Sequence, residues 1–250
     1  MILPKLKHLV AAALLAAIPA PALAGQTNVA VAANFTEPAK EIAALFKQKT
    51  GHEAVLSFGA SGPFYAQIQQ DAPFQVFLSA DEKRPKDAVE AGLAVADSRF
   101  TYAIGKLVLW SKSLDLAKGG DVLKANGFSK LSIANPTAAP YGVAAIEAMK
   151  ALGTYEAIEP KIVQGATIAQ AFQFVETGNA ELGFVALSQL VNVTAGSRWM
   201  VPQELYKPIQ QEAVLLKKGA NDEASKAFIA FLRGPEARAV IEKYGYGLAR

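Results

Sequence analysis

The sequence predicts an α/β protein of two lobes, each a mixed sheet flanked by helices, joined by two crossover strands. Three observations carry this. Short runs of β-branched and small apolar residues alternate with segments of helical spacing that end at glycine. The alternation falls into two blocks, each too small to be a comfortable domain alone. Two long extended stretches, residues 102–110 and 211–217, connect the blocks.

Residues 28–33 read as a strand buried on both faces, and residues 36–50 as a helix with Ile42, Leu45 and Phe46 on one face and Gly51 as its stop. A second strand at 53–58, a short helix at 63–70, a third strand at 74–78 and a helix at 81–91 stopped by Gly92 complete the first block. Residues 102–110, with Gly105 inside them, read as one long strand passing between the lobes. The second block repeats the grammar: strand 131–134, helix 142–152 ended by Gly153, strand 161–164, helix 169–177 ended by Gly178, and strand 182–186. Residues 211–217 return the chain, and helices at 222–232 and 235–244 close it. The expected lobes are residues 25–103 with 206–250, and residues 104–205. No low-complexity linker separates them, which favours a hinge of strands.

Of the 250 residues, 52% are hydrophobic and 19% charged, enough for a sizeable core and unlike a disordered chain. The formal charge of +3, from 25 Lys+Arg against 22 Asp+Glu, is small and dispersed, which argues against a nucleic-acid partner. The absence of cysteine excludes disulfides, thiolate metal sites, iron–sulfur clusters and a cysteine nucleophile. With His8 and His52 as the two histidines, neither a histidine metal site nor a Ser-His-Asp device is expected.

Residues 1–24 read as a cleavable signal peptide. Lys5 and Lys7 precede the apolar run from Leu9 to Ile18, and Ala22-Leu23-Ala24 supplies the small-residue cleavage signal. That run is far short of the about 20 residues a membrane helix needs, and Pro19 and Pro21 would break a packed helix. Cleavage after Ala24 removes two lysines and no acid, leaving 23 Lys+Arg against 22 Asp+Glu, a net charge of +1. With no cysteine at the cleavage site to carry a lipid, a soluble exported protein is expected.

Four strand-to-helix turns combine small or hydroxyl side chains and free backbone amides with no Lys, Arg or His. They are Ala33-Asn34-Phe35-Thr36, Gly59-Ala60-Ser61-Gly62-Pro63, Ala139-Pro140-Tyr141-Gly142-Val143 and Gly165-Ala166-Thr167-Ile168. In open α/β sheets such turns gather at the carboxyl ends of the strands, where ligands bind. Unpaired N–H groups and the positive end of the helix dipole make each turn an anion site. One dipole contributes about 0.3–1 kcal/mol toward a nearby negative charge, so several converging in a closed cleft can hold a small dianion without a cation. Ordinary capping competes with this reading, because Thr36, Ser61 and Thr167 are common N-cap types and Pro63 suits an early helical position. Gly59 and Gly62 around Ser61 favour a ligand, since glycine lets one approach the backbone closely. The Tyr141 hydroxyl can point into a cleft or onto the surface.

An enzyme is not expected. The Gly59–Pro63 turn has the outline of a G-x-S-x-G nucleophile elbow, but Pro63 replaces the last glycine and His52 precedes the serine. No Gly-Lys-Ser/Thr follows it as in a phosphate-binding loop. His52, among polar residues after a helix stop, is expected on the solvated surface. Ser79-Ala80-Asp81 is expected to cap the following helix, and Trp110 and Trp199 to pack.

Over residues 28–250 the chain resembles the periplasmic molybdate-binding proteins that deliver ligand to ABC transporters. The markers are Val29-Ala30-Val31-Ala32-Ala33-Asn34-Phe35-Thr36, Ser57-Phe58-Gly59-Ala60-Ser61-Gly62, Phe77-Leu78-Ser79-Ala80-Asp81, residues 136–142, Leu182-Gly183-Phe184-Val185, and the ending from Phe231-Leu232-Arg233-Gly234-Pro235 to Tyr244-Gly245. Their occurrence in this order makes the resemblance specific. It implies a type II periplasmic binding protein fold in which molybdate, and tungstate with it, is held by hydrogen bonds alone, with no side chain ligating the metal and no cofactor. It puts Asn34 where many relatives have serine, Ser61 at the matching serine, Tyr141 in the Pro-x-Gly turn and Ile168 as a backbone donor, and adds the N–H of Ala33. The chain departs from one branch of the family at Ala186, where a tyrosine hydroxyl would reach the ligand, and relatives carrying Pro-Tyr-Gly suggest that Tyr141 replaces it. The resemblance further implies a periplasmic monomer whose partner is the membrane permease of an ABC importer. The competing readings are a carrier of another oxyanion, sulfate or phosphate, and an exported enzyme on the same fold.

Overall fold

The computed structural model describes residues 24–249. Apart from Ala24, the expected signal peptide lies outside the described residues. Strand β1 (Gln26–Ala32) sends Val29 and Val31 into one apolar cluster and Ala30 into another, so both its faces are buried, as its composition required. A 3₁₀ turn at Ala33–Phe35 leads into α1 (Thr36–Thr50), which buries Ile42 and Phe46 and ends at Gly51 with φ 76°, the left-handed conformation of a glycine stop. Then come β2 (Glu53–Gly59), α2 (Ser61–Gln69), β3 (Val76–Leu78), α3 (Lys83–Glu90) and β4 (Phe100–Gly105).

The chain changes sheets at Lys106. Residues 102–110, expected as one strand, are two, because β5 (Leu107–Ser111) pairs in the second sheet while β4 stays in the first. The break is invisible in the sequence since apolar runs stand on both sides of it and a single Gly-Lys pair interrupts them. The second lobe continues with α4 (Asp121–Ala125), β6 (Leu131–Ala134), α5 (Pro140–Ala151), α6 (Tyr155–Ile158), β7 (Ile162–Gly165), α7 (Ile168–Glu176), β8 (Leu182–Ala186) and β9 (Ser197–Met200). Strand β10 (Ile209–Leu215) returns to the first sheet, and α8 (Glu223–Arg233) and α9 (Pro235–Lys243) pack on that lobe. Helices α4 and α6 and strand β9 were not legible in the sequence. Strand β9 is polar at Ser197 and Arg198, alternates in exposure and pairs with β5 alone, as an edge strand does.

The two sheets follow one plan. Their orders are β2-β1-β3-β10-β4 and β7-β6-β8-β5-β9, and in each the first three strands run parallel and the last two pairings are antiparallel. In each sheet the first strand of the parallel trio, β1 or β6, lies between the two that follow, which places a topological switch point at its carboxyl end. The lobes meet there: one apolar cluster joins Ala32, Ala33, Ala60 and Ala80 of the first lobe to Ala139, Tyr141 and Ile168 of the second. His52 is half-buried rather than solvated. Its Nδ1 accepts the Gly25 N–H at 2.9 Å and its ring stacks on Phe46.

Candidate functional site

Between the lobes lies a small enclosed cavity in which the centre of a water-sized sphere can move through about 10 Å3. Ala33, Asn34, Ser61, Tyr141 and Ile168, the five residues singled out in the sequence, all line it, with Ala32, Gly59, Ala60, Ala80, Ala139 and Pro140 completing the wall. No charged side chain is among them. The space is too small for an organic solute of sugar or amino-acid size and suits one compact ion. Ala186 does not line it.

Three helices open onto this cavity. Ser61 is the first residue of α2, Tyr141 the second of α5 and Ile168 the first of α7. Among the described residues, the backbone N–H groups of these three donate to no protein group, as the first amides of a helix do unless something outside the helix accepts them. The dipoles of α2, α5 and α7 therefore present their positive ends to one small volume.

The side chains settle the choice between capping and ligand-facing hydroxyls at two turns. Thr167 is an ordinary cap, since its Oγ1 accepts the Gln170 N–H. Ser61 is not. The residue in the capping position of α2 is Ala60, and Ser61 Oγ instead accepts the N–H of Ala80, 2.9 Å away at the end of β3. A hydroxyl anchored as an acceptor keeps its one proton free to donate. Thr36 Oγ1 donates back to the Ala33 carbonyl. Asp81, as expected, accepts the N–H of Arg84 at the start of α3.

Asn34 sits in a buried network that joins both lobes. Its Nδ2 donates to Gln211 Oε1 on β10 and to Tyr246 OH at 2.9 Å. Its carbonyl accepts from Tyr246 OH and from Ser188 Oγ, each at 2.7 Å, and Ser188 belongs to the second lobe just beyond β8. Gln211 Nε2 is buried with no partner. Sequence reasoning missed Gln211, Tyr246 and Ser188; only Ser188, a hydroxyl at the carboxyl end of a strand, shares the signal that found the others.

The Tyr141 phenol oxygen is also buried without a partner. It lies against the backbone of Gly105, where a Cβ would come within 2.3 Å of it, so the glycine before the sheet crossing makes room for the ring. Burial, with the neighbouring Tyr246, Tyr102 and Tyr206 phenols, raises its pKa well above the usual tyrosine value. Burial likewise pushes Tyr246 up to about 12, although its hydrogen bonds with Ser188 and Asn34 pull the other way. Both phenols are protonated at neutral pH.

Charged residues stand just outside the wall. Asp81, Glu82 and Glu147 face Lys83, Arg84 and Lys207 in an outer groove between the lobes, an even balance of signs. Among the described residues no cluster of three or more His, Asp or Glu side chains could hold a metal ion.

Two lobes closing by crossing strands over an enclosed, cation-free cavity are the architecture of a solute carrier, and residues 27–247 match the bacterial extracellular solute-binding proteins; the chain belongs to that family. Within it, the chain is 59% identical over 237 residues to the molybdate-binding protein ModA of Rhodobacter capsulatus, covering 94% of each. It is 55% identical over 231 residues to the molybdate-binding protein ModA of Azotobacter vinelandii, covering 91% of this chain and 92% of that one. Among solved structures it superimposes on the Azotobacter vinelandii periplasmic molybdate-binding protein with a TM-score of 0.86 at 42% identity, covering 90% of this chain and all of the other.

Proposed function

We propose that this protein captures molybdate, and tungstate with it, in the interlobe cavity and delivers it to the membrane permease of an ABC importer. The observation that carries the reading is the cavity itself: small, enclosed, free of charged side chains, and ringed by unpaired amides and a serine hydroxyl. Such a lining selects a compact anion and offers an organic solute nothing to grip. The identity to molybdate-binding relatives supplies the choice of anion.

In this reading the donors are Ser61 Oγ–H, the N–H groups of Ser61, Tyr141 and Ile168, the Ala33 N–H and the Asn34 amide. Tyr141 contributes its N–H, and its hydroxyl, buried beside Gly105 without a partner, is the group left to replace the tyrosine that some relatives have at the position of Ala186. Asn34 contributes by turning. Rotating the Asn34 and Gln211 amides together preserves their mutual bond, gives the unpaired Gln211 Nε2 an acceptor in Asn34 Oδ1, and moves an Asn34 N–H to the side its oxygen now occupies, giving up the Asn34 Nδ2 bond to Tyr246 OH. Hydrogen bonds to a charged acceptor contribute about 1.5–3 kcal/mol each. A handful of them replaces a counter-ion.

The lobes are residues 25–103 with 206–250 and residues 104–205, except that β4 carries Ile104 and Gly105 into the first lobe, and they are hinged where the chain crosses between the sheets. The mature chain acts as a periplasmic monomer after removal of residues 1–24, and it is a carrier, not an enzyme. Molybdate and tungstate are tetrahedral dianions of nearly equal size, so this cage separates them poorly. Sulfate is smaller and spans the donors less well.

Thermal melts with molybdate, tungstate, sulfate and phosphate test this. A ligand at 100 times its Kd stabilises by about 2.7 kcal/mol, which in a chain of this size raises Tm by about 5–11 °C. Molybdate and tungstate are expected to give that shift at a far lower concentration than sulfate and phosphate. A larger shift with sulfate or phosphate would replace the proposed ligand.

A further inference from the structure

We infer that the Asp81–Arg84 pair is a latch between the lobes, gripping the turn at Thr137 and Ala138 and setting how slowly bound anion leaves. The inference rests on the reading of the cavity as an anion site and adds a residue that does not touch the anion. Arg84 stands on α3 in the first lobe. Its Nη1 pairs with Asp81 Oδ2, and its Nη2 reaches across the cleft to the Thr137 carbonyl at 3.4 Å. Beside it, the Gly62 N–H at the start of α2 donates to the Ala138 carbonyl at 3.0 Å. Two consecutive carbonyls of the second lobe are thus held by two donors of the first.

Both halves of the latch are built in advance. Asp81 Oδ1 accepts Ser79 Oγ and the Arg84 N–H, each at 3.0 Å, so the carboxylate is fixed before it orients the guanidinium. The pair is mostly buried, with side-chain exposures of 19% for Arg84 and 18% for Asp81, unlike the exposed lysine pairs elsewhere on the surface. Opposite it, Asn135 Oδ1 accepts both the N–H and the hydroxyl of Thr137, and the Asn135 carbonyl accepts the Ala138 N–H, so the turn presents its carbonyls without a loop having to order. Gly62 fits between the halves, where a Cβ would stand 3.0 Å from Arg84 Nη2 and 3.1 Å from the Ala138 oxygen.

Position decides what the latch does. The gripped turn leads directly into α5, whose first residues wall the cavity, and Gly62 follows Ser61, which also walls it. The contact joins two lobes that part when the carrier opens, so its loss lowers the barrier to release while leaving the open form able to meet the anion. A planar guanidinium can hold a carboxylate with one nitrogen and reach a carbonyl with the other, whereas an ammonium at that site cannot do both.

The test is release of radiolabelled molybdate from the full chain, with wild type, Arg84→Ala and Arg84→Lys compared at two salt concentrations. Both variants are expected to release the anion about three- to tenfold faster, the range set by a single hydrogen bond made only in the closed state, with association rates within about twofold of wild type. Release at the wild-type rate from both variants overturns the latch. So does a variant pair in which Arg84→Lys behaves as wild type while Arg84→Ala loses association rate in a salt-dependent way, since that is attraction of the dianion by charge alone. A wild-type chain that retains no molybdate overturns the anion reading and the latch together, whereas a wild type that retains it beside unaltered variants overturns the latch alone.

Discussion

Ser61→Ala is expected to weaken molybdate binding by about 1.5–3 kcal/mol, a loss of about 10- to 150-fold in affinity, because it deletes a hydroxyl donor to a charged acceptor. The structure gives the hydroxyl this weight. Its oxygen is pinned by the Ala80 N–H, so the proton is directed by the fold rather than by the ligand, and no capping role at α2 competes for it. The same substitution leaves the Ala80 N–H unpaired in a buried position, so a small fall in the stability of the ligand-free protein accompanies the loss. Titration calorimetry of the variant, with its melt recorded in parallel, separates the two effects. Unchanged affinity would remove Ser61 from the site.

Gly142→Ala is expected to have the largest effect on stability. A Cβ at Gly142 would lie 2.1 Å from the Ala134 carbonyl oxygen and 2.9 Å from the Pro136 nitrogen. Both are backbone atoms at the end of β6 and cannot swing aside. The start of α5 must therefore back away from the sheet, carrying the Tyr141 N–H with it. Forcing a methyl into a packed interior costs about 3 kcal/mol at the upper end of the usual range, which lowers Tm by about 6–12 °C. Because the helix start is also a wall of the cavity, the molybdate-induced rise in Tm should shrink as well. A variant with wild-type melting would show that α5 has slack at its start that its packing does not suggest.

Much of this was legible in the residues, and the boundary of what was legible is physical. Buried parallel strands need continuous β-branched and small apolar runs, and helices that stop before a sheet use glycine in the left-handed conformation, so β1 and the ends of α1 and α7 announced themselves. The four turns stood out because strand-end turns gather at one place in any such sheet, and the resemblance to the molybdate-binding proteins picked the five wall residues from within them. What the sequence did not show depends on distance along the chain. Ser61 meets Ala80 at a separation of 19 residues, Asn34 meets Gln211 at 177 and Tyr246 at 212, and no local pattern records those meetings. The change of sheet at Lys106 was hidden for another reason, because extended apolar runs stand on both sides of it with only Gly105 and Lys106 between them. His52 was misplaced because its polar neighbours hid a cap on the Gly25 N–H and a stack on Phe46.

The central claim is that a dianion is held by neutral donors alone, and a crystal structure of the molybdate complex, phased on the anomalous signal of molybdenum, tests it most directly. The expected result is one molybdenum peak in the interlobe cavity, with anion oxygens about 2.7–3.1 Å from Ser61 Oγ and from the amide nitrogens of Ser61, Tyr141 and Ile168, and no Lys or Arg nitrogen in contact. A molybdenum peak in the outer groove beside Lys83, Arg84 or Lys207, or a cationic side chain drawn into the cavity to meet the anion, would contradict it.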